Sequence, residues 1–188
     1  MNTKENQRSR LSKLLFKKAL FGLLDEGRTV EKISVRELCE QAELNRSTFY
    51  AHYTEPREIL LEAEDSLLET TAAHLREIGQ GKAGDVSGYL TSFLRYIREN
   101  DASFRTLLLT SADPAFRGRF MQLAMLQLIG AFDVRLEEKQ EQYVFSYLMN
   151  GSLGLILQWL RADYAMETGE VVRLLLTLNK SALTQLAK

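Results

Sequence analysis

One cysteine, two prolines, two histidines and one tryptophan are all that this 188-residue chain holds of those types. A lone thiol, Cys39, cannot close an internal disulfide. Two histidines, His52 and His74, stand far apart in the sequence and give no metal-ligand spacing. There is no glycine-rich phosphate loop and no nucleophile elbow. The sequence therefore offers little from which to build an enzyme, and neither cofactor nor metal is expected. No window approaches the ~20 apolar residues of a membrane span. The start, MNTKENQRSR, leads into an amphipathic segment and not into the apolar run of a signal peptide. The expectation is a cytoplasmic chain with no membrane partner. With only Pro56 and Pro114, and no alternating apolar runs bounded by turns, nothing suggests a sheet.

What is present is apolar and helical in period. Hydrophobic residues make up 45% of the chain, enough for one sizeable core or for a core with a small appended module. Their spacing predicts an all-α protein of about nine helices. The first runs from Ser9 to Glu26, with Leu11, Leu14, Leu15, Ala19, Leu23 and Leu24 towards a core and Gly27 as its stop. Ser34 and Glu37 form a capping box for a helix that ends near Ala42. Asn45 caps a third, short helix to His52. Glu55 precedes Pro56, which suits the first position of a fourth helix reaching Ile78. The segment GQGKAGDVSG, Gly79 to Gly88, holds four glycines and is the clearest break. Beyond it, helices are expected at about 86–100, 102–110, 114–133, 137–165 and 168–187. The working division is an N-terminal module, 1–54, with a basic arm, followed by a larger helical domain, 55–188.

Charge is uneven although the total is only -1. Residues 1–53 carry ten Lys/Arg and seven Asp/Glu, and Lys4, Arg8, Arg10, Lys13, Lys17 and Lys18 crowd the start. Such an arm suits phosphate binding, although charge alone favours a solvated helix face. The stretch AELNRSTFYAHY, Ala42 to Tyr53, is more specific. Two short helices across a tight connection make a candidate helix-turn-helix, whose second helix enters the DNA major groove. Arg46 can offer a bidentate donor pair to guanine. Ser47 and Thr48 can reach bases or phosphates. Tyr50 and His52 can donate to phosphate oxygens. Phe49 should point inward, against Leu38, Ala42 and the first helix. Cys39 reads as a small core residue.

The segment ISVRELCEQAELNRSTFYAHYTEPREIL resembles the DNA-binding domain of TetR/AcrR-family transcriptional regulators. Ser34, Arg36, Ala42, Thr48, Phe49, Tyr50, His52 and Tyr53 carry the likeness, over about residues 10–65. YLMNGSLGLILQWL, Tyr147 to Leu160, resembles the subgroup with a compact C-terminal regulatory domain. The resemblance implies a DNA-facing set of Ser34, Arg36, Asn45, Arg46, Ser47, Thr48, Tyr50, His52 and Tyr53. Ser34 would meet a phosphate at its helix N-terminus. Where the family often has a phosphate-gripping lysine at the start of the fourth helix, this chain has Pro56, with Arg57 beside it.

A single recognition helix makes few contacts, and dimers answer this by reading two half-sites. From 143 to 160 the apolar residues cover more than one stripe, so that helix should be buried on two sides. The expected dimer interface is Tyr147, Gly151, Gly154 and Leu155 with Val172, Leu175 and Leu178 of the last helix. A four-helix interface of this kind is what the resemblance implies. Phe93, Tyr96, Phe104, Phe120, Met121, Met125 and Tyr147 can line a pocket for a small apolar or amphipathic effector, or simply fill a core. Arg95, Arg98 and Arg105 can serve an anion or a solvated face. The leading expectation is a ligand-responsive repressor that binds a palindromic double-stranded DNA operator as a homodimer. The alternative is a DNA-binding activator controlled by a protein partner, which a solid core between the middle helices would favour.

Overall fold

The computed structural model describes residues 3–79, 85–110, 114–129 and 138–184. Nine α-helices run through them: α1 Thr3–Asp25, α2 Val35–Ala42, α3 Arg46–Tyr50, α4 Pro56–Gly79, α5 Val86–Glu99, α6 Asp101–Leu109, α7 Pro114–Ile129, α8 Glu138–Arg161 and α9 Thr168–Thr184. No strand occurs among the described residues. One short 3-10 turn, Val30–Lys32, precedes α2. The chain divides into two compact units, Met1–Leu67 with Thr106–Pro114, and Leu68–Arg105 with Ala115–Lys188. The division thus falls inside α4 and inside α6, past the boundary drawn at residue 54. It does not fall in the glycine-rich segment, of which residues 80–84 lie outside the described ones.

In the first unit α1 packs on α2, and α2 on α3. Gly27, at φ +82°, ends α1: its N–H reaches Leu24 O, and Arg28 N–H reaches Leu23 O. The face that α1 buries is Ser12, Phe16, Ala19, Leu20, Leu23 and Leu24. Leu11 and Leu14, expected in the core, stand open at 56% and 60% exposure. The expected stripe of Leu11, Leu14, Leu15, Ala19, Leu23 and Leu24 omits Phe16 and Leu20, which are fully buried and set the helix rotation. Phe49 is fully buried with its ring edge-on to Phe16, centroids 5.4 Å apart, and 5.9 Å from Tyr53. Cys39 is buried, as a small core residue should be. Thr106 Oγ1 donates to Asp25 Oδ1 at 3.0 Å, which fastens the second half of α6 to the end of α1.

In the second unit α9 packs on α5 and on α8. Tyr89, Leu90, Phe93, Leu94 and Ile97 are buried positions of α5, and Val171, Val172, Leu175 and Leu183 of α9. Helix α8 stops at Arg161, four residues before the expected end, because Asp163 and Tyr164 both turn left-handed at φ 51° and 57°. Arg105 holds that turn. Its Nε donates to Asp101 Oδ1 at 2.6 Å, Nη1 to Leu160 O at 2.7 Å and Nη2 to Asp163 Oδ1 at 2.6 Å. Tyr164 donates to the same Asp101 oxygen, and Arg98 lies over the Tyr164 ring at 5.6 Å. The guanidinium of Arg105 is therefore committed to a helix end and a turn, and is not a spare anion site.

Candidate nucleic-acid interface

The candidate surface is built from two caps and the turn between them. Ser34 is the N-cap of α2, and both halves of its capping box are formed. Ser34 Oγ accepts from Glu37 N at 3.2 Å and donates to Glu37 Oε2 at 2.9 Å. Arg28 Nη1 donates to the other carboxylate oxygen at 3.1 Å. These hydrogen bonds, first from the Ser34 backbone and hydroxyl and then from Arg28, hold Glu37 down at about 2. A depressed carboxylate lends stability above the unfolded pKa, and that contribution is lost as pH falls from the ordinary carboxylate range through about 2.

Helix α2 ends at Glu43, which lies in the left-handed region at φ 54°, with Leu44 N–H closing back to Cys39 O at 3.0 Å. Glycine or asparagine is the usual occupant of such a position. Glu43→Gly is expected to raise stability by about 0.5–1 kcal/mol through relief of that conformation. A urea midpoint that stays put or falls would show that the strain is absent.

Asn45 then caps α3. Its Oδ1 takes Thr48 N–H at 2.8 Å, Thr48 Oγ1 at 2.7 Å and Ser47 Oγ at 2.8 Å. Arg46 and Ser47 are exposed and Thr48 is half-buried. Tyr50 is exposed, edge-on to Phe49 with centroids 5.4 Å apart. The helix is shorter than expected: it ends at Tyr50, and His52 and Tyr53 both donate their N–H to Phe49 O at 2.9 Å. That tightening sends Tyr53 into the core. It is 5% exposed and donates to Glu62 Oε2 at 3.0 Å, with Lys13 Nζ on the same carboxylate at 2.9 Å. Burial first, then Glu62, raises its phenol well above the usual range. Tyr53 thus has no free edge at the surface and leaves the candidate DNA-facing set. His52 is half-buried beside it.

Between α2 and α3 lies an open concavity of about 460 Å³, lined by Arg36, Glu40, Glu43, Asn45 and Arg46 over Cys39 and Leu44. Arg36 Nε donates to Glu40 Oε1 at 2.8 Å. Two acids on this face, Glu40 and Glu43, had no part in the sequence reading. The Arg36–Glu40 pair was detectable there as an i,i+4 spacing. At the start of α4, Pro56 is buried and Arg57 is exposed, 3.5 Å from Glu31. Thr54 donates twice to the Glu58 carboxylate there, from Oγ1 at 2.6 Å and from its backbone N–H at 2.7 Å.

Residues 85–181 match the TetR_C_8 family model, described as a transcriptional regulator C-terminal region, and so span more than half of the chain. The chain belongs to the TetR family of transcriptional regulators. A TetR transcriptional regulator from Streptococcus agalactiae 2603V matches at TM-score 0.69 and 23% identity, over 93% of this chain and 97% of that one. The dihydroxyacetone kinase operon activator DhaS matches at TM-score 0.52 and 15% identity, over 94% and 98%. At those identities the two likenesses carry the fold. No curated protein sequence matches the chain.

Two further groups of side chains belong to this TetR-family fold. On α8 and α9 an apolar face stands open, with Tyr143 at 79%, Tyr147 at 69%, Leu174 at 40% and Leu178 at 58% exposure. Gly151 and Gly154 are also exposed, with open space where a Cβ would stand. Leu155 is half-buried. Val172 and Leu175, expected on this face, are 2% and 3% exposed and belong to the chain's own core. The open positions of α9 are Leu174 and Leu178, each beside a buried position and not opposite it.

The middle helices hold an aromatic chain. Phe93 and Phe104 both meet Phe120, with centroids 5.9 and 5.5 Å apart, and Tyr96 meets Phe104 at 5.7 Å. Phe93, Phe104, Phe120 and Met121 are all buried. Tyr96 is half-exposed, stacks on His74 at 4.3 Å and donates to Thr70 Oγ1 at 3.1 Å. Tyr147 is not brought to this cluster but lies on the open face of α8. The Met125 side chain lies outside the described residues. No group of three or more His, Cys, Asp or Glu able to hold a metal occurs among the described residues. None of the described helices is long and apolar enough to cross a membrane.

Proposed function

We propose that this TetR-family chain regulates transcription as a homodimer that binds a palindromic operator through α3, and that it acts as a repressor. The observation that carries this reading is the recognition-helix edge. Arg46, Ser47 and Tyr50 stand exposed on a helix anchored by a fully buried Phe49. Polar side chains on a helix that cannot rotate are what groove reading needs. Arg36 and His52 lie beside this edge, and Arg57 takes the phosphate-gripping role that Pro56 cannot. Ser34 contributes through its helix end, since its hydroxyl proton is given to Glu37.

Selection of bound sequences from a random duplex pool tests the reading. A palindrome with half-sites about 34–36 Å apart is the expected product. Recovery of unenriched sequence would sink sequence-specific binding, and an asymmetric site would sink the dimeric mode.

Two variants refine the contact map. Glu40→Gln releases Arg36 and removes an anion from beside the phosphates, so DNA binding should tighten roughly two- to fivefold at low salt. The log–log salt slope should also steepen by up to about two, one for each subunit. Unchanged affinity and slope would place Arg36 away from the backbone. Tyr50→Phe should weaken binding to all sequences alike, by about fivefold. A loss confined to one base position would make Tyr50 a base reader.

The proposed control is a small apolar or amphipathic effector that favours a conformation unable to match both half-sites. A second reading, an activator governed by a protein partner, gains support from the mutual packing of Phe93, Phe104 and Phe120 where an effector would otherwise sit.

A further inference from the structure

Oδ1 of Asn45 accepts the Thr48 N–H at 2.8 Å and, as an amide oxygen, carries no hydrogen. Two hydroxyl oxygens approach the same atom, Ser47 Oγ at 2.8 Å and Thr48 Oγ1 at 2.7 Å. Oxygens that close share a proton. Only the hydroxyls can supply it, and each has one. With the Thr48 N–H that makes three donors on an oxygen with two lone pairs, so the two hydroxyls share one of them; both protons point inward towards Asn45, and what Ser47 and Thr48 turn outward is lone pairs.

We infer that Ser47 and Thr48 read bases as hydrogen-bond acceptors, selecting adenine or cytosine over guanine or thymine on the strand they face. This rests on the DNA-binding reading given above and names the chemistry of its central contacts. An acceptor-only side chain gains nothing from a phosphate oxygen, so the two residues are not backbone grips. In the major groove the donors are the N6 amino group of adenine and the N4 amino group of cytosine. Guanine O6 and thymine O4 at that place would set oxygen against oxygen. Arg46, which has donors only, has the opposite preference and suits guanine. Three consecutive side chains thus present a donor followed by two acceptors, and Asn45, which need not touch DNA, fixes that polarity. Turning either hydroxyl to donate outward would break its bond to Asn45.

The experiment is sequence selection from a random duplex pool with the full chain, as wild type, Ser47→Ala and Thr48→Val. Positions whose preference relaxes in a variant are those that the side chain faces. They should carry adenine or cytosine in the wild-type product. Guanine or thymine there, or no relaxed position in either variant, overturns the inference while leaving DNA binding in place. A wild-type pool with no enriched sequence overturns both together.

Base analogues give a second readout that needs no variant to fold. At an adenine so identified, purine, which lacks the N6 amino group, should weaken wild-type binding about tenfold, whereas 7-deazaadenine, which lacks the N7 acceptor, should leave it unchanged. At a cytosine, 2-pyrimidinone should have the effect of purine. Loss with 7-deazaadenine and none with purine would mean that the hydroxyls donate, and would overturn the inference.

Discussion

Gly151→Leu is expected to turn the proposed dimer into monomers while making the monomer itself no less stable. Open space lies where the Cβ of residue 151 would stand, so the chain alone has room for the larger side chain. Replacing glycine inside a helix with leucine also removes an entropic penalty of roughly 0.8 kcal/mol. A partner helix laid across Tyr147, Gly151 and Gly154 would meet that leucine at the point of closest approach. The two effects have opposite signs, which separates an interface from an ordinary solvated glycine. Sedimentation should show half the mass, and thermal melting of the monomer should be unchanged or higher. Operator affinity should fall by about 10²–10⁴, because the second half-site is no longer tethered to the first. An unchanged sedimentation profile would remove α8 from the interface.

The open face on which that prediction stands was only partly legible in the sequence. From 143 to 160, too many apolar residues for one stripe announced a helix buried on two sides, and Tyr147, Gly151 and Gly154 do stand open on it. On α9 the same reasoning selected Val172 and Leu175, which face inward. A helix apolar on most of its circumference gives no phase: composition says that it is covered all round, but not which side its own chain covers. On the amphipathic α1 the cause is different: the burial of Phe16 and Leu20 sets the rotation and turns Leu11 and Leu14 outward.

Where side chains bond to a neighbouring backbone, the sequence spoke clearly. Ser34 with Glu37, and Asn45 before Arg46, fixed the starts of α2 and α3, because a cap is a local event over three or four residues. Tyr53 shows the limit of local reading. Its place in the core depends on Glu62 and Lys13, nine and forty positions away in the chain, and on Phe16 and Phe49. Glu43 is a different case, a left-handed residue that is neither glycine nor asparagine, so the usual sign of a turn was missing.

Arg46→Ala should abolish the preference for guanine at one position of each half-site, with a loss of about 1–3 kcal/mol per contact. Two symmetric contacts in a dimer would double that free energy. Folding should be little disturbed, because Arg46 is the exposed first residue of α3 and the cap is carried by Asn45. The specificity follows from shape. A guanidinium presents two parallel N–H donors that match guanine O6 and N7, and Glu43 and Glu40 on the rim of the same concavity oppose its use as a mere cation. Arg46→Lys keeps the charge and loses the fork, so lysine should restore affinity for duplex DNA in general without restoring the choice of guanine. Competition binding with single-base operator variants measures both quantities at once. If lysine restores discrimination as fully as arginine does, or if alanine binds every variant as the wild type does, Arg46 is not the base reader and the reading edge of α3 must be placed elsewhere. If alanine lowers binding to all sequences by the same factor and flattens the salt slope by about two, one for each subunit, Arg46 grips a phosphate.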